Sequence, residues 1–309
     1  MTGSKAGDSS ISEPAPEGTF EAAPEGTFEA APEGAVQLSA PAKLTLSLRV
    51  TGVRPDGYHD IDAEMVSLDL HDSLVIEPGT GLTVHTEPPA ATGPGEVPSG
   101  PDNLVAKALA ALGREHRVWL TKRIPPGAGL GGGSSNAAAV LRWAGRTDLD
   151  LAARLGADVP FCVVGGRARV RGIGESVDPL PYEERRFVLL LPPFGVNTAA
   201  VYRAWDQLGG TTDGTGERLV GNGRSGTNDL ESAALHVEPR LAAWRDRFAE
   251  VSGARPLLAG SGSTWFLEGA PAELGIEGQT FLRVGAAKGA LVAVRTVRAD
   301  HSPPGHTPR

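Results

Sequence analysis

The segment Pro125-Pro-Gly-Ala-Gly-Leu-Gly-Gly-Gly-Ser-Ser-Asn136 sets five glycines between two runs of different periodicity. Residues 117–124 alternate as a strand does, and residues 134–143 form a helical run of small residues. A strand, a glycine loop and a helix in that order leave unobstructed backbone N–H groups at a helix start. Orphan amides and the helix dipole both favour an anion there, and phosphate above all. Ser134 and Ser135 can cap the helix or donate to phosphate oxygens, and Ala137, Ala138 and Ala139 let its first turns pack closely.

Three readings of the loop compete. A Walker loop needs Gly-Lys-Ser/Thr at its end, whereas Gly133 is followed by Ser134. Gly127, Gly129 and Gly132 satisfy G-x-G-x-x-G, but a dinucleotide fold needs a second strand ending in an acidic residue. Asp148 and Asp150 fall at the right distance, yet Trp143-Ala-Gly-Arg-Thr-Asp148 is no strand. A merely flexible turn leaves the adjoining serine pair and alanine-rich helix start unexplained. Phosphate binding by a loop other than Walker A is the favoured reading.

Composition narrows the class. A chain of 309 residues with 40% hydrophobic content has room for one large or two medium cores. Of its net charge of −8, the first 36 positions supply −6, with seven acidic residues against Lys5, so about −2 remains for the body. A nearly neutral body without a run of Lys and Arg lacks the footprint of nucleic-acid binding. Cys162 is the only cysteine, and with seven histidines it builds no cluster of metal-ligand spacing. That usage fits a reducing setting, and with no apolar run of membrane-spanning length a cytoplasmic protein without a membrane partner is expected.

Residues 1–36 carry an octad, APEGTFEA twice and then APEGAV, and are expected to form a disordered extension. Ordered structure is expected from Gln37, where Leu44, Leu46 and Leu48 alternate with polar residues. Strands are expected over 61–70, 73–77, 161–164, 167–170 and 187–191, and helices over 103–112, 149–155, 199–208 and 239–248. Residues 52–57 read as a turn, 79–100 as loop-rich, 209–226 as a mobile surface loop and 301–309 as a disordered tail.

Pro-x-Gly-x-Gly-Leu-Gly-Gly-Gly-Ser-Ser resembles the phosphate loop of the GHMP kinases. Ala40-Pro-Ala-Lys43-Leu, Gly52-x-Arg-Pro-Asp-Gly-Tyr-His59, Leu155-Gly-Ala-Asp158-Val-Pro160 and Gly260-Ser-Gly-Ser-Thr264 are similar to motifs of one member family. That family acts on a cytidine-diphosphate-linked methylerythritol of non-mevalonate isoprenoid biosynthesis. Pro101-Asp-Asn103-Leu and Asn228-Asp-Leu230 fall at intermediate places, and the likeness runs from about residue 39 to about 266 in the family's order.

The resemblance implies an α/β (α+β) fold of two domains. An ATP-binding domain of ribosomal-protein-S5-like topology would take 37–164, and a ferredoxin-like domain 165–300. It implies ATP and Mg²⁺, a small-molecule alcohol as acceptor, and a monomer or homodimer. Lys43 and Asp158 match the catalytic pair. Pro126, Gly127, Ala128, Gly129, Leu130, Gly131, Gly132, Gly133, Ser134, Ser135 and Asn136 match the ATP loop. Thr45, Tyr58, His59, Gly260, Ser261, Gly262, Ser263 and Thr264 match the substrate side, with no protein metal ligand evident.

Taken alone, these residues have plainer readings. Asp158 reads equally as a helix cap or turn residue, Lys43 as a solvated strand residue, and Tyr58 with His59 as the strand after an Asp56-Gly57 turn. Two departures stand out: Thr45 replaces the family's usual asparagine, and the stretch from Ala144 to Leu151 is shorter than in most relatives. They keep two other readings open, a GHMP kinase for a homoserine- or mevalonate-type acceptor and a nucleotide-binding regulator without catalysis.

Overall fold

A computed structural model describes residues 34–90, 97–210 and 227–299. The expected tail at 301–309, nearly all of the octad extension and most of the 209–226 loop lie outside the described residues.

Two sheets organise the chain. The first holds six strands: β1 (Val36–Val53), β2 (His59–Pro78), β3 (Gly81–Thr86), β4 (His116–Lys122), β5 (Arg167–Gly172) and β6 (Ser176–Pro179). Its order is β3-β4-β2-β5-β6, with β1 also on β2; only β3 and β4 pair in parallel. The second is antiparallel, with β7 (Arg186–Leu191), β8 (Leu257–Leu258), β9 (Trp265–Glu268), β10 (Phe281–Val284) and β11 (Ala287–Arg295) in the order β10-β11-β7-β9-β8.

Helices α1 (Leu104–Ala111), α2 (Gly132–Trp143), α3 (Leu149–Leu155) and α4 (Val159–Val164) belong with the first sheet. Helices α5 (Thr198–Gln207), α6 (Glu231–Val237) and α7 (Arg240–Ser252) follow β7.

A smaller core joins the two sheets. Ala42, Leu44, Leu46, Val66 and Leu68 of β1 and β2 meet Phe187, Leu189, Leu191 and Phe266 of the second sheet. Ala128 and Leu130 of the glycine loop enter the same cluster, so the loop sits at the junction of the sheets.

Bulges in β1 decide which way its side chains point. Pairing with β2 shifts register between Pro41 and Lys43 and again between Thr45 and Ser47. Each irregularity changes which alternate residues face a given side. Leu38, Ala40, Leu48 and Val50 therefore fill the large core while Ala42, Leu44 and Leu46 fill the junction, and Lys43 and Thr45 between them are buried away from it.

Several expectations are corrected. Residues 161–164 are not a strand but most of α4: four apolar residues suit either form, and Pro160 within the first turn together with Gly165 at the end, φ +68°, favours a helix. Segments 61–70 and 73–77 are one strand, β2, because Asp72 between them has its carboxylate fully bonded. The loop-rich 79–100 stretch contains β3, which the parallel pairing with β4 stabilises. A division after 164 does not follow the sheets, since β5 and β6 lie beyond it and complete the first sheet through antiparallel pairing of Arg167–Gly172 with β2. Strand β6, helix α6 and strands β8 to β11 had no separate signal in the sequence.

Candidate active site

The glycine loop leads from β4 into α2 and is locked to its surroundings by backbone contacts. Gly129 has φ +77°, and a Cβ there would lie 2.5 Å from the Ala259 carbonyl oxygen and 2.7 Å from that of Gly262. Gly131, the left-handed N-cap of α2, would bring a Cβ within 2.7 Å of Lys43 Cγ. The Thr264 amide donates to Ala128 O at 3.2 Å and the Lys43 amide to Leu130 O at 3.0 Å. The ATP-type loop thus touches both the carboxyl-terminal glycine loop and the lysine strand.

No acidic residue occupies the first turn of α2. Its orphan amides at 132–134 suit an anion without a competing carboxylate. Of the three polar side chains expected there, two face the body. Ser135 donates to Pro41 O at 2.6 Å, and the buried Asn136 amide donates to Asp72 Oδ2 at 2.8 Å. Only the half-buried Ser134 hydroxyl is not engaged in this way.

Lys43 Nζ lies 3.1 Å from Thr45 Oγ1 and 3.5 Å from Asp158 Oδ2. The lysine side chain is 6% exposed and the aspartate 35%, so the cation lies inside and the carboxylate at the mouth. Asp158 is the N-cap of α4 but makes no side-chain cap bond, which leaves its carboxylate available. A Cβ at Gly260 would sit 3.6 Å from both Lys43 Nζ and Thr45 Oγ1. Lys43, Thr45, Asp158, Gly131 and Gly260 therefore converge.

Behind the loop lies a cluster that sequence reasoning missed. Buried Lys122 pairs with buried Asp72 and donates to Asn136 Oδ1 at 3.1 Å. The other Asp72 oxygen accepts from the amides of Arg123 at 2.7 Å and Ile124 at 2.8 Å. Burial pulls the Lys122 ammonium below the usual lysine range, while Asp72 beside it opposes that shift. The cluster ties β2, β4 and α2 together where the loop leaves and re-enters regular structure. Its only sequence signal was a charged residue inside an apolar strand.

On the substrate side, Tyr58 is 60% exposed at the end of the Arg54–Tyr58 turn. His59 is enclosed by α5: its ring centroid is 4.8 Å from that of Tyr202 and 5.4 Å from that of Trp205. The Tyr202 hydroxyl is pushed well above the usual tyrosine range by burial and then by Asp158, which links this aromatic group to the Lys43–Asp158 pair.

The 260–264 loop is held from outside. Ser261 Oγ meets Thr198 Oγ1 at 2.9 Å, Ser263 Oγ donates to Phe194 O at 2.6 Å, and Asn228 Nδ2 donates to Leu258 O at 2.9 Å and Gly260 O at 2.6 Å. The Thr264 hydroxyl is buried and has no partner.

A cavity of about 410 Å³ lies elsewhere, behind α2, among Pro41, Arg142, Trp143 and Cys162. None of the convergent residues lines it. The site is a cleft between loops rather than that cavity.

This fold and site define a small-molecule kinase of the GHMP class. Residues 103–166 match the model of the GHMP kinases N terminal domain. The chain belongs to the 4-diphosphocytidyl-2-C-methyl-D-erythritol kinase family. It is 38% identical over 242 residues to the enzyme of that name from Paracoccus denitrificans, spanning 74% of this chain and 85% of that one. It is 37% identical over 256 residues to the Pelotomaculum thermopropionicum enzyme, spanning 74% and 86%. A crystal structure of a 4-(cytidine 5'-diphospho)-2C-methyl-D-erythritol kinase superposes with TM-score 0.57 at 36% identity, over 74% of this chain and 88% of that one. A homoserine kinase from Cytophaga hutchinsonii, at 18% identity and TM-score 0.55, shares the fold.

The family implies ATP as the phosphoryl donor. Among the described residues no helix is long and apolar enough to cross a membrane.

Proposed function

We propose that this protein transfers the γ-phosphoryl group of ATP to the 2-hydroxyl of 4-diphosphocytidyl-2-C-methyl-D-erythritol, as a step of non-mevalonate isoprenoid biosynthesis. The observation that carries the reading is the Lys43–Asp158 pair, 3.5 Å apart beside a helix-opening glycine loop. Family membership supports the choice of substrate over a homoserine- or mevalonate-type acceptor.

In phosphoryl transfer a protein mostly positions the reactants and stabilises charge. The backbone amides from Pro126 to Ser134 hold the ATP phosphates. The Asp158 carboxylate accepts the proton of the attacking hydroxyl, and the Lys43 ammonium steadies the oxygen as charge develops. Thr45 orients Lys43 and still offers a donor to substrate in place of asparagine. Tyr58 stacks on the cytosine while His59 hydrogen-bonds its edge, and the 260–264 loop closes the substrate side with its free amides.

Among the described residues no group of three or more His, Cys, Asp and Glu side chains is arranged to hold a metal. Mg²⁺ fits only as an ion carried by nucleotide oxygens and water, with Ser134 as the available hydroxyl; bound so, it neutralises phosphate charge. We further propose a cytoplasmic enzyme, monomeric or homodimeric, with residues 37–164 contributing the ATP loop and Asp158.

The test is a panel in which purified protein, ATP and Mg²⁺ are given the cytidine-linked alcohol, the unlinked alcohol, homoserine and mevalonate. Phosphorylated product is expected with the first alone. Folded protein that consumes no ATP on that substrate would refute the proposal.

A further inference from the structure

His59 is held by a residue that lies far away in the chain. Its Nε2 lies 2.7 Å from Asp206 Oδ1, and Asp206 is carried on α5 beside Tyr202 and Trp205. The His59 side chain is only 7% exposed, and the two aromatic rings limit its freedom to turn. The Asp206 carboxylate is 45% exposed and spans the gap between the β1–β2 turn region and α5.

A carboxylate only accepts hydrogen bonds, so the short contact places a hydrogen on Nε2. A neutral imidazole with Nε2–H carries its lone pair on Nδ1. Nδ1 has no hydrogen-bond partner among the described residues. It is the nitrogen left for a ligand.

We infer that Asp206 is a positioning residue that fixes the His59 tautomer and thereby makes the site select cytosine over uracil. This rests on the nucleobase reading of His59 given above. Cytosine presents a 4-amino donor, whereas uracil presents a carbonyl oxygen at the same place. An Nδ1 lone pair accepts from the amino group and repels the oxygen. Removing the carboxylate frees the ring to take the other tautomer, whose Nδ1–H suits uracil. The selectivity is thus set from α5, although Asp206 itself touches only the histidine.

The experiment compares kcat/KM for the cytidine-linked substrate and its uridine-linked counterpart at pH 8.5, and calorimetric binding of CDP and UDP, in wild type, Asp206→Ala, Asp206→Asn and Asp206→Glu. Wild type is expected to favour cytosine by about tenfold or more. D206A should reduce that ratio about tenfold, D206N at least as much because its amide can donate to Nε2, and D206E should restore most of it. A merely structural role for Asp206 would lower both substrates together and leave the ratio unchanged.

The inference is overturned if D206A and D206N unfold at the wild-type midpoint and keep the wild-type ratio, or if wild type shows no preference. If wild type turns over neither substrate, the proposed reaction fails. The CDP-to-UDP binding ratio then decides this inference on its own: loss of preference in D206N upholds it and retention overturns it.

Discussion

Lys43 Nζ stands 3.5 Å from Asp158 Oδ2, with the ammonium buried and the carboxylate at the mouth of the cleft. In the proposed reaction the pair divides the work between a base that meets solvent and substrate and a cation that does not. Asp158→Asn keeps the size of the side chain and removes the base. Because Asp158 makes no cap bond, thermal stability should stay within about 0.5 kcal/mol of wild type. Turnover should fall by about 100- to 10,000-fold. A product assay on the cytidine-linked substrate checks both arms, and a variant within tenfold of wild type would remove Asp158 as the base.

Gly129→Ala tests how tightly the two glycine loops interlock. The new methyl must enter a left-handed conformation and meet two backbone carbonyls at 2.5 and 2.7 Å. A cost of about 2–4 kcal/mol is expected from strain and overpacking together, with a raised KM for ATP. Gly145→Ala has φ +70° and open space around it, so about 1 kcal/mol is expected there. Urea midpoints compare the two, and equal costs would contradict the interlocking.

Asp72→Asn leaves the Lys122 charge buried without its anion. Breaking a buried pair on one side costs about 3–5 kcal/mol. The exposed pair of Asp62 and Arg169 offers the contrast, and Asp62→Asn should cost under about 1 kcal/mol. A thermal shift of D72N no larger than that of D62N would show that the cluster is not what secures the loop base.

The Cys162 thiol is pushed up from 9.0 to about 12, first by burial and then by the Asp158 charge, against opposition from Lys43 and Arg142. Between pH 9 and 12 the unfolded chain loses this proton while the folded chain keeps it. The unfolded state then binds fewer protons, so stability falls as pH rises through that window. Wild type should lose more stability than Cys162→Ala between pH 8 and pH 10.5 in urea titrations. Equal losses would remove the thiol as a contributor. At pH 8 the folded thiol should also resist alkylation that the denatured chain accepts.

Legibility varied with the range of the signal. The glycine loop and α2, the helix 149–155 and the buried strand 187–191 follow from local spacing, and they form where the spacing predicts. Residues 161–164 went astray because a run of four apolar residues lacks the length to distinguish a strand from a helical turn, and packing of α4 on α2 decided it. Strand β3 was hidden among prolines and glycines because its hydrogen bonds come from β4, more than thirty residues further on. Asn228 was visible only as a motif position; its two bonds to the carbonyls beside the 260–264 loop are a product of the fold.

By itself, the sequence determined the phosphate-binding loop, since glycine φ freedom and orphan helix amides are local properties of the chain. Its ordered motifs also determined the family. Only the tertiary structure decided that two bulges turn Lys43 and Thr45 out of the inter-sheet core, that Asp72 neutralises Lys122 beneath the loop, and that Asp206 grips His59. Each of these joins groups that are distant in the chain, and charge or polarity buried at such a junction is stable only where the packing supplies its partner.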